Sequence, residues 1–148
     1  MKKLLTLLTV ILFSTGAFAQ IEAHVKWSYA AKKVNAKEAI VFLKATIDEG
    51  WHVYSQNVKE GGPVKTSFVF TPSKEYTLVG KPSEPKGITR NEKVFGMDVT
   101  FFETSAIFQQ KIKLNGKAAT VKGSLEFMTC NDTKCLPPEQ VSFSIPVK

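Results

Sequence analysis

The sequence predicts an all-β protein, an immunoglobulin-like β-sandwich, on three observations. Apolar and polar residues alternate with period two along most of the chain. Gly, Pro, Asn and Asp recur between the alternating runs, where turns need them. A brief turn near Lys33–Glu38 aside, no stretch carries the i, i+3, i+4, i+7 apolar stripe of a capped helix. Eight or more short strands at this spacing suit a sandwich.

Each element follows from its local pattern. Ala23, Val25, Trp27 and Tyr29 alternate with His24, Lys26 and Ser28, a half-buried first strand. Ala39–Ile47 (AIVFLKATI) is a more heavily apolar second. WHVYS follows Gly50, and SFVF (Ser67–Phe70) stops at Thr71-Pro72. A short YTLV run leads into a Pro/Gly-rich stretch through Gly87. Ala106, Phe108, Gln110, Ile112 and Leu114 share one face up to Asn115-Gly116, and Ala119, Val121, Gly123, Leu125 and Phe127 run back. Asn-Gly between two such runs predicts a hairpin, because both residues tolerate the positive φ of a type I′ turn. Val141, Phe143, Ile145 and Val147 form the last strand, whose Pro146 marks an edge or a strand end. No internal repeat or low-complexity tract interrupts the series.

The amino terminus reads differently. Lys2 and Lys3 precede an apolar run from Leu4 to Phe13, followed by Ala17-Phe18-Ala19. A charged start, a short apolar stretch and a small-x-small site describe a secretory signal peptide. Ten apolar residues are about half of the ~20 needed to span a bilayer. Residues 1–19 are therefore expected to be cleaved after Ala19, leaving residues 20–148 as one exported domain with no membrane insertion of the mature chain. The cut lowers the formal net charge from +7 to +5, and the remaining lysines are scattered among acids. A nucleic-acid groove needs clustered positive charge, so no nucleic-acid partner is expected.

The chemistry concentrates at FMTCNDTKCLPPEQ, which holds the two cysteines of the chain, Cys130 and Cys135. The polar quartet Asn131–Lys134 predicts a four-residue hairpin loop with the cysteines opposed on its arms. Opposed residues of an antiparallel pair lie about 4.5 Å apart, near the short end of the ~4.4–6.8 Å disulfide range. A permanent staple, a redox pair and a metal clip all remain open at this spacing. As a staple, a ring this small contributes only about 2 kcal/mol. Lys134 favours a Cys135 thiolate and Asp132 opposes it. His24 and His52 stand alone on strands, far from metal-ligand spacing. Asn131-Asp132-Thr133 matches the glycosylation triplet, common by chance. Gly61-Gly62-Pro63 lacks the spacing of a phosphate loop, and no Gly-x-Ser-x-Gly occurs.

LEFMTCNDTKCLPPE, together with GWHVYS, GGPVKTSFVF and NEKVFGMDVTFFE, resembles the amino-terminal periplasmic domain of the thiol:disulfide interchange protein DsbD. The likeness runs from about Trp27 to Phe143. It implies an immunoglobulin-like domain that passes electrons to exported isomerases and to thioredoxins of cytochrome c maturation. Its partners would be thioredoxin-fold proteins, held by transient mixed disulfides, and it would use no organic cofactor beyond the Cys130–Cys135 disulfide. By resemblance Cys135 forms the intermolecular bond and Cys130 resolves it. The family also shields its pair with an aromatic cap loop, which maps to Asn91–Gly96, with Phe95 as the lid, Val94 as the alternative in register, and Gly96 beside them. Two departures stand out. The best-studied members separate their cysteines by one more residue. They also continue into membrane helices and a thioredoxin-like Cys-x-x-Cys domain, whereas this sequence stops at Lys148, so a membrane electron donor is expected to act in trans. A non-catalytic binding module with a structural disulfide is the rival reading, and a copper or zinc handler using the same thiols a third.

Overall fold

The computed structural model describes residues 22–148; the expected signal peptide, residues 1–19, lies outside the described residues. The chain forms β1 (Val25–Lys33), β2 (Glu38–Ile47), β3 (His52–Tyr54), β4 (Ser67–Phe70), β5 (Tyr76–Ser83), β6 (Ile88–Glu92), β7 (Met97–Phe102), β8 (Ser105–Leu114), β9 (Ala119–Phe127), β10 (Thr129–Cys130) and β11 (Glu139–Val147). No helix occurs among the described residues. The strands make three antiparallel sheets, ordered β1-β2-β8-β5, β11-β9-β4 and β10-β3-β7-β6. The architecture is the expected all-β, immunoglobulin-like sandwich.

Alternation sets the layers. In β2, Ala39, Val41, Leu43, Ala45 and Ile47 point inward, and in β8 Ala106, Phe108, Ile112 and Leu114 do the same. They meet Val121, Leu125, Phe127, Phe143 and Ile145 from the opposite sheet in one continuous core. Each Val, Leu, Ile or Phe among them contributes roughly 1.5–3 kcal/mol when fully buried. Trp27 of β1 sits between the layers, its ring centroid 5.5 Å from that of Phe127 and 5.9 Å from that of Phe108. Gly123 of β9 lies opposite both Phe143 of β11 and Phe70 of β4. Their rings meet over it at 5.5 Å. A Cβ there would fall 2.2 Å from the Val69 carbonyl oxygen, so only glycine fits.

Asn115-Gly116 does not make the expected hairpin. β8 is flanked by β2 and β5, and β9 by β11 and β4, so each strand has both edges filled. The turn instead carries the chain from one layer to the other. Neither residue adopts positive φ, and Asn115 donates through its backbone to Glu75 O and through its side chain to Lys74 O, both at 2.9 Å. Two alternating faces that read as neighbours in one sheet are thus opposed across the core. Pro146, by contrast, lies near the end of the edge strand β11, where a missing N–H costs least.

The third sheet positions the site. β9 ends at Phe127 and β10 begins at Thr129, so this sheet extends the β11-β9-β4 layer. Val53 of β3 and Phe102 of β7 enter the main core. Tyr54 and Phe101, their chain neighbours, point the other way into a second, small core with Val99 and Cys130. The exit of β3 is fixed by Glu84, whose carboxylate accepts hydrogen bonds from Ser55 Oγ (2.6 Å), Gln56 N (2.9 Å) and Asn57 Nδ2 (2.9 Å). β6 and β7 pair as a hairpin whose turn is Lys93–Gly96. β6 is exposed along most of its length and carries no alternation to announce it.

Candidate active site at the cysteine pair

The cysteine loop is built from its backbone outward. Cys130 and Cys135 pair across an isolated antiparallel bridge, are joined by a disulfide, and have Cα atoms 4.0 Å apart. The opposition read from the sequence is the geometry observed. Asn131 organises the bend: its Oδ1 accepts from Thr133 N (2.9 Å), Thr133 Oγ1 (2.9 Å) and Lys134 N (2.8 Å), an Asx-type turn that explains why asparagine opens the quartet. Asn131 N donates to Lys134 O and Leu136 N to Thr129 O, each at 2.9 Å, closing the two arms.

The two sulfurs' residues differ sharply in access. Cys130 is 1% exposed in the small core, backed by Met128, Met97 and Val58. Cys135 is exposed. A groove of about 660 Å³ runs past them, lined also by His52, Tyr54, Met128, Val94 and Phe95. Val94 is 88% exposed at the hairpin tip. Phe95 is half-buried and belongs to neither core. Gly96 has φ +65°, a left-handed turn residue, and both Phe95 N (3.1 Å) and Gly96 N (2.8 Å) donate to Glu92 O.

Beside Cys130 the site is dry. His52 on β3 is the direct cross-strand partner of Cys130 and is buried. Its Nε2 is 3.2 Å from Tyr54 Oη, and its ring packs on Phe101 at 4.8 Å. Burial, aided by the nearby Arg90 charge, holds the His52 imidazole below its ordinary range. Burial likewise pushes the Tyr54 phenol up to about 12. Arg90 caps this core from β6, its guanidinium 4.6 Å over the Phe101 ring. It stands 3.1 Å from Glu92 and 3.8 Å from Asp132, linking the hairpin to the cysteine loop.

Beside Cys135 the site is charged. Lys134 Nζ lies 2.8 Å from both carboxylate oxygens of Glu22 and 5.6 Å over the Trp51 ring. His24 bridges Glu22 (3.0 Å) and Asp48 (3.1 Å) and stacks on Trp51 at 3.8 Å and 11°. The Glu22 hydrogen bond raises the His24 imidazole above its ordinary range; desolvation opposes it, and the weaker hydrogen bond to Asp48 adds to the rise. Hydrogen bonds from Lys134 and then His24 lower Glu22. No group of three or more His, Cys, Asp and Glu side chains is arranged to hold a metal among the described residues.

Cys130, Cys135, Val94 and Phe95 line one groove, together with His52 and Tyr54, for which no role was read from the sequence. His52 and Tyr54 were legible in principle, since in WHVY both alternating faces are apolar or aromatic, which places one face against something other than the main core. The Glu22–Lys134 contact joins residues 112 positions apart and leaves no local signal.

The family model for the N-terminal domain of the thiol:disulfide interchange protein DsbD matches residues 21–146. No curated protein sequence matches the chain. Among solved structures, the N-terminal periplasmic domain of ScsB from Proteus mirabilis superposes with a TM-score of 0.60 at 19% identity, covering 85% of this chain and 47% of that one. The chain thus spans about half the length of that relative. The N-terminal domain of DsbD from Neisseria meningitidis, in its reduced form, gives 0.51 at 21% identity, covering 79% of this chain and 82% of that one. The same domain in a complex with the PilB N-terminal domain gives 0.50 at 18% identity, covering 78% and 80%. At these identities the likeness is one of fold.

Proposed function

This chain belongs to the family of the N-terminal domain of the thiol:disulfide interchange protein DsbD, and from that premise we propose that it carries electrons between exported proteins through Cys130 and Cys135. The observation that carries the reading is the unequal exposure of two opposed, bonded cysteines, one in a core and one at a groove.

In the reduced domain the Cys135 thiolate attacks a partner's disulfide, forming a Cys135–partner bond and expelling one partner thiolate. The Cys130 thiolate then attacks Cys135 Sγ, closing the intramolecular disulfide and releasing the partner's second thiolate. Two electrons pass to the partner, which takes up two protons, and no organic cofactor is required. Attack needs an accessible sulfur, and resolution needs one held close but shielded; Cys135 and Cys130 fit these roles in that order. The partners are thioredoxin-fold proteins, in the manner of exported isomerases or cytochrome c maturation proteins, with recharging by a membrane electron donor. A homologous domain has been solved in complex with another protein domain, which supports docking at a protein surface. The periplasm is the compartment in which such exchange operates, and a relative is described as periplasmic. Phe95, flanked by Val94 and Gly96, serves as a partial cap on the groove, shielding the Cys130 side while Cys135 stays open to a partner.

The test is trapping. Cys130→Ser should accumulate a mixed disulfide with a thioredoxin-fold protein through Cys135, and Cys135→Ser should not. Equal trapping by both variants would reverse or remove the assigned roles. A reduction potential below about −300 mV, typical of structural bonds, would favour the inert binding module instead.

A further inference from the structure

We propose that Glu22 is a positioning residue for exchange at Cys135: backed by His24, it anchors the Lys134 ammonium on Trp51 and offsets its positive charge beside the reacting sulfur. This rests on the exchange reading above for its purpose, but its geometry stands independently. Lys134 immediately precedes Cys135 in the loop. Its Nζ is held at 2.8 Å by both oxygens of Glu22 and lies over the Trp51 ring. The carboxylate does not move freely, because His24 grips its Oε1 at 3.0 Å and is itself clamped by Asp48 at 3.1 Å and stacked on Trp51. The segment before β1 is thereby a strap laid across the base of the cysteine loop.

The other charges at the groove do not substitute for Glu22. Arg90 is shared between Glu92 and Asp132. Lys93 lines the hairpin side of the groove with no carboxylate within 4.0 Å among the described residues. Glu22 is thus the carboxylate that meets Lys134. Without it, the ammonium of the residue preceding Cys135 loses the carboxylate that faces it, and a neighbouring cation favours the thiolate. The strap therefore holds the thiol less acidic than the loop sequence alone would make it.

The test reads one thiol in the full chain. In a Cys130→Ser background, the rate of Cys135 alkylation by iodoacetamide is followed from pH 5 to pH 10, with the labelled site mapped by mass spectrometry. Glu22→Gln should move the midpoint of the profile down by about half a pH unit, which triples the thiolate fraction at low pH. Because nucleophilicity falls with pKa, the rate there should rise only about twofold. Lys134→Met should move the midpoint up, the double variant should match Lys134→Met alone, and Glu22→Asp should keep the original profile. A midpoint unmoved by Glu22→Gln, or moved equally when Lys134 is already absent, overturns the proposal; loss of a fold contact alone would not give opposite signs for the two partners. The measurement involves no protein partner. A failure to trap mixed disulfides would therefore sink the exchange reading and leave this outcome intact.

Discussion

His52 lies directly across from Cys130, on neighbouring strands, and both are buried. The Tyr54 hydroxyl lies 3.2 Å from its Nε2, and the imidazole ring packs on that of Phe101. A neutral histidine is comfortable there and an imidazolium is not.

This sets a pH dependence with a definite sign. Because His52 is held below its ordinary value near 6.5, the unfolded chain binds a proton that the folded chain refuses. Stability is then full above that value and falls as pH drops below it. Urea midpoints at pH 7.5 and pH 5 should differ more for the native sequence than for His52→Phe. An equal loss in both would place the acid sensitivity elsewhere. His24 has the opposite sign, since its partners raise it: its contribution is complete below pH 6.5 and fades as pH climbs through the folded value.

Phe95→Ala should expose the pair further to small reagents. Because Cys135 is already exposed, removing the ring should accelerate reduction by dithiothreitol measurably, but by less than the roughly tenfold or more expected of a fully shut lid. Val94→Ala, at a side chain 88% exposed, should leave the rate unchanged. If Val94→Ala gives the acceleration and Phe95→Ala does not, the cap is the other residue.

Gly123→Ala should destabilise the domain by about 1–3 kcal/mol, since the added methyl meets Val69 O and the Phe143 ring. The measurement is equilibrium unfolding in urea. A loss under about 0.5 kcal/mol, the range of an ordinary surface change, would mean that β4 and β9 separate easily.

Glu84→Ala should cost roughly 1–3 kcal/mol, because three donors at the end of β3 lose their acceptor together. It should also loosen the loop after Tyr54, read as faster amide exchange at Gln56 and Asn57. Unchanged exchange there would show that the loop is held by its packing.

The sandwich was legible because one face of most strands meets the core, and β8 keeps its in–out alternation along its whole length. The opposed cysteines were legible because a polar quartet between them allows little else. Asn115-Gly116 misled because a strong local turn signal says nothing about whether the strand edges beside it are free. β6 went unseen because an edge strand that is exposed on most of its positions has no reason to alternate. The strap was invisible for a simpler reason: Glu22, Trp51 and Lys134 come together only once the sheets have closed.

β3 and β7 serve as a party wall, with Val53 and Phe102 on the scaffold side and Tyr54 and Phe101 on the workshop side. Substitutions that refashion the workshop need not disturb the load carried by the larger room. A lineage can therefore retune its sulfur chemistry, or discard it, while keeping the house standing.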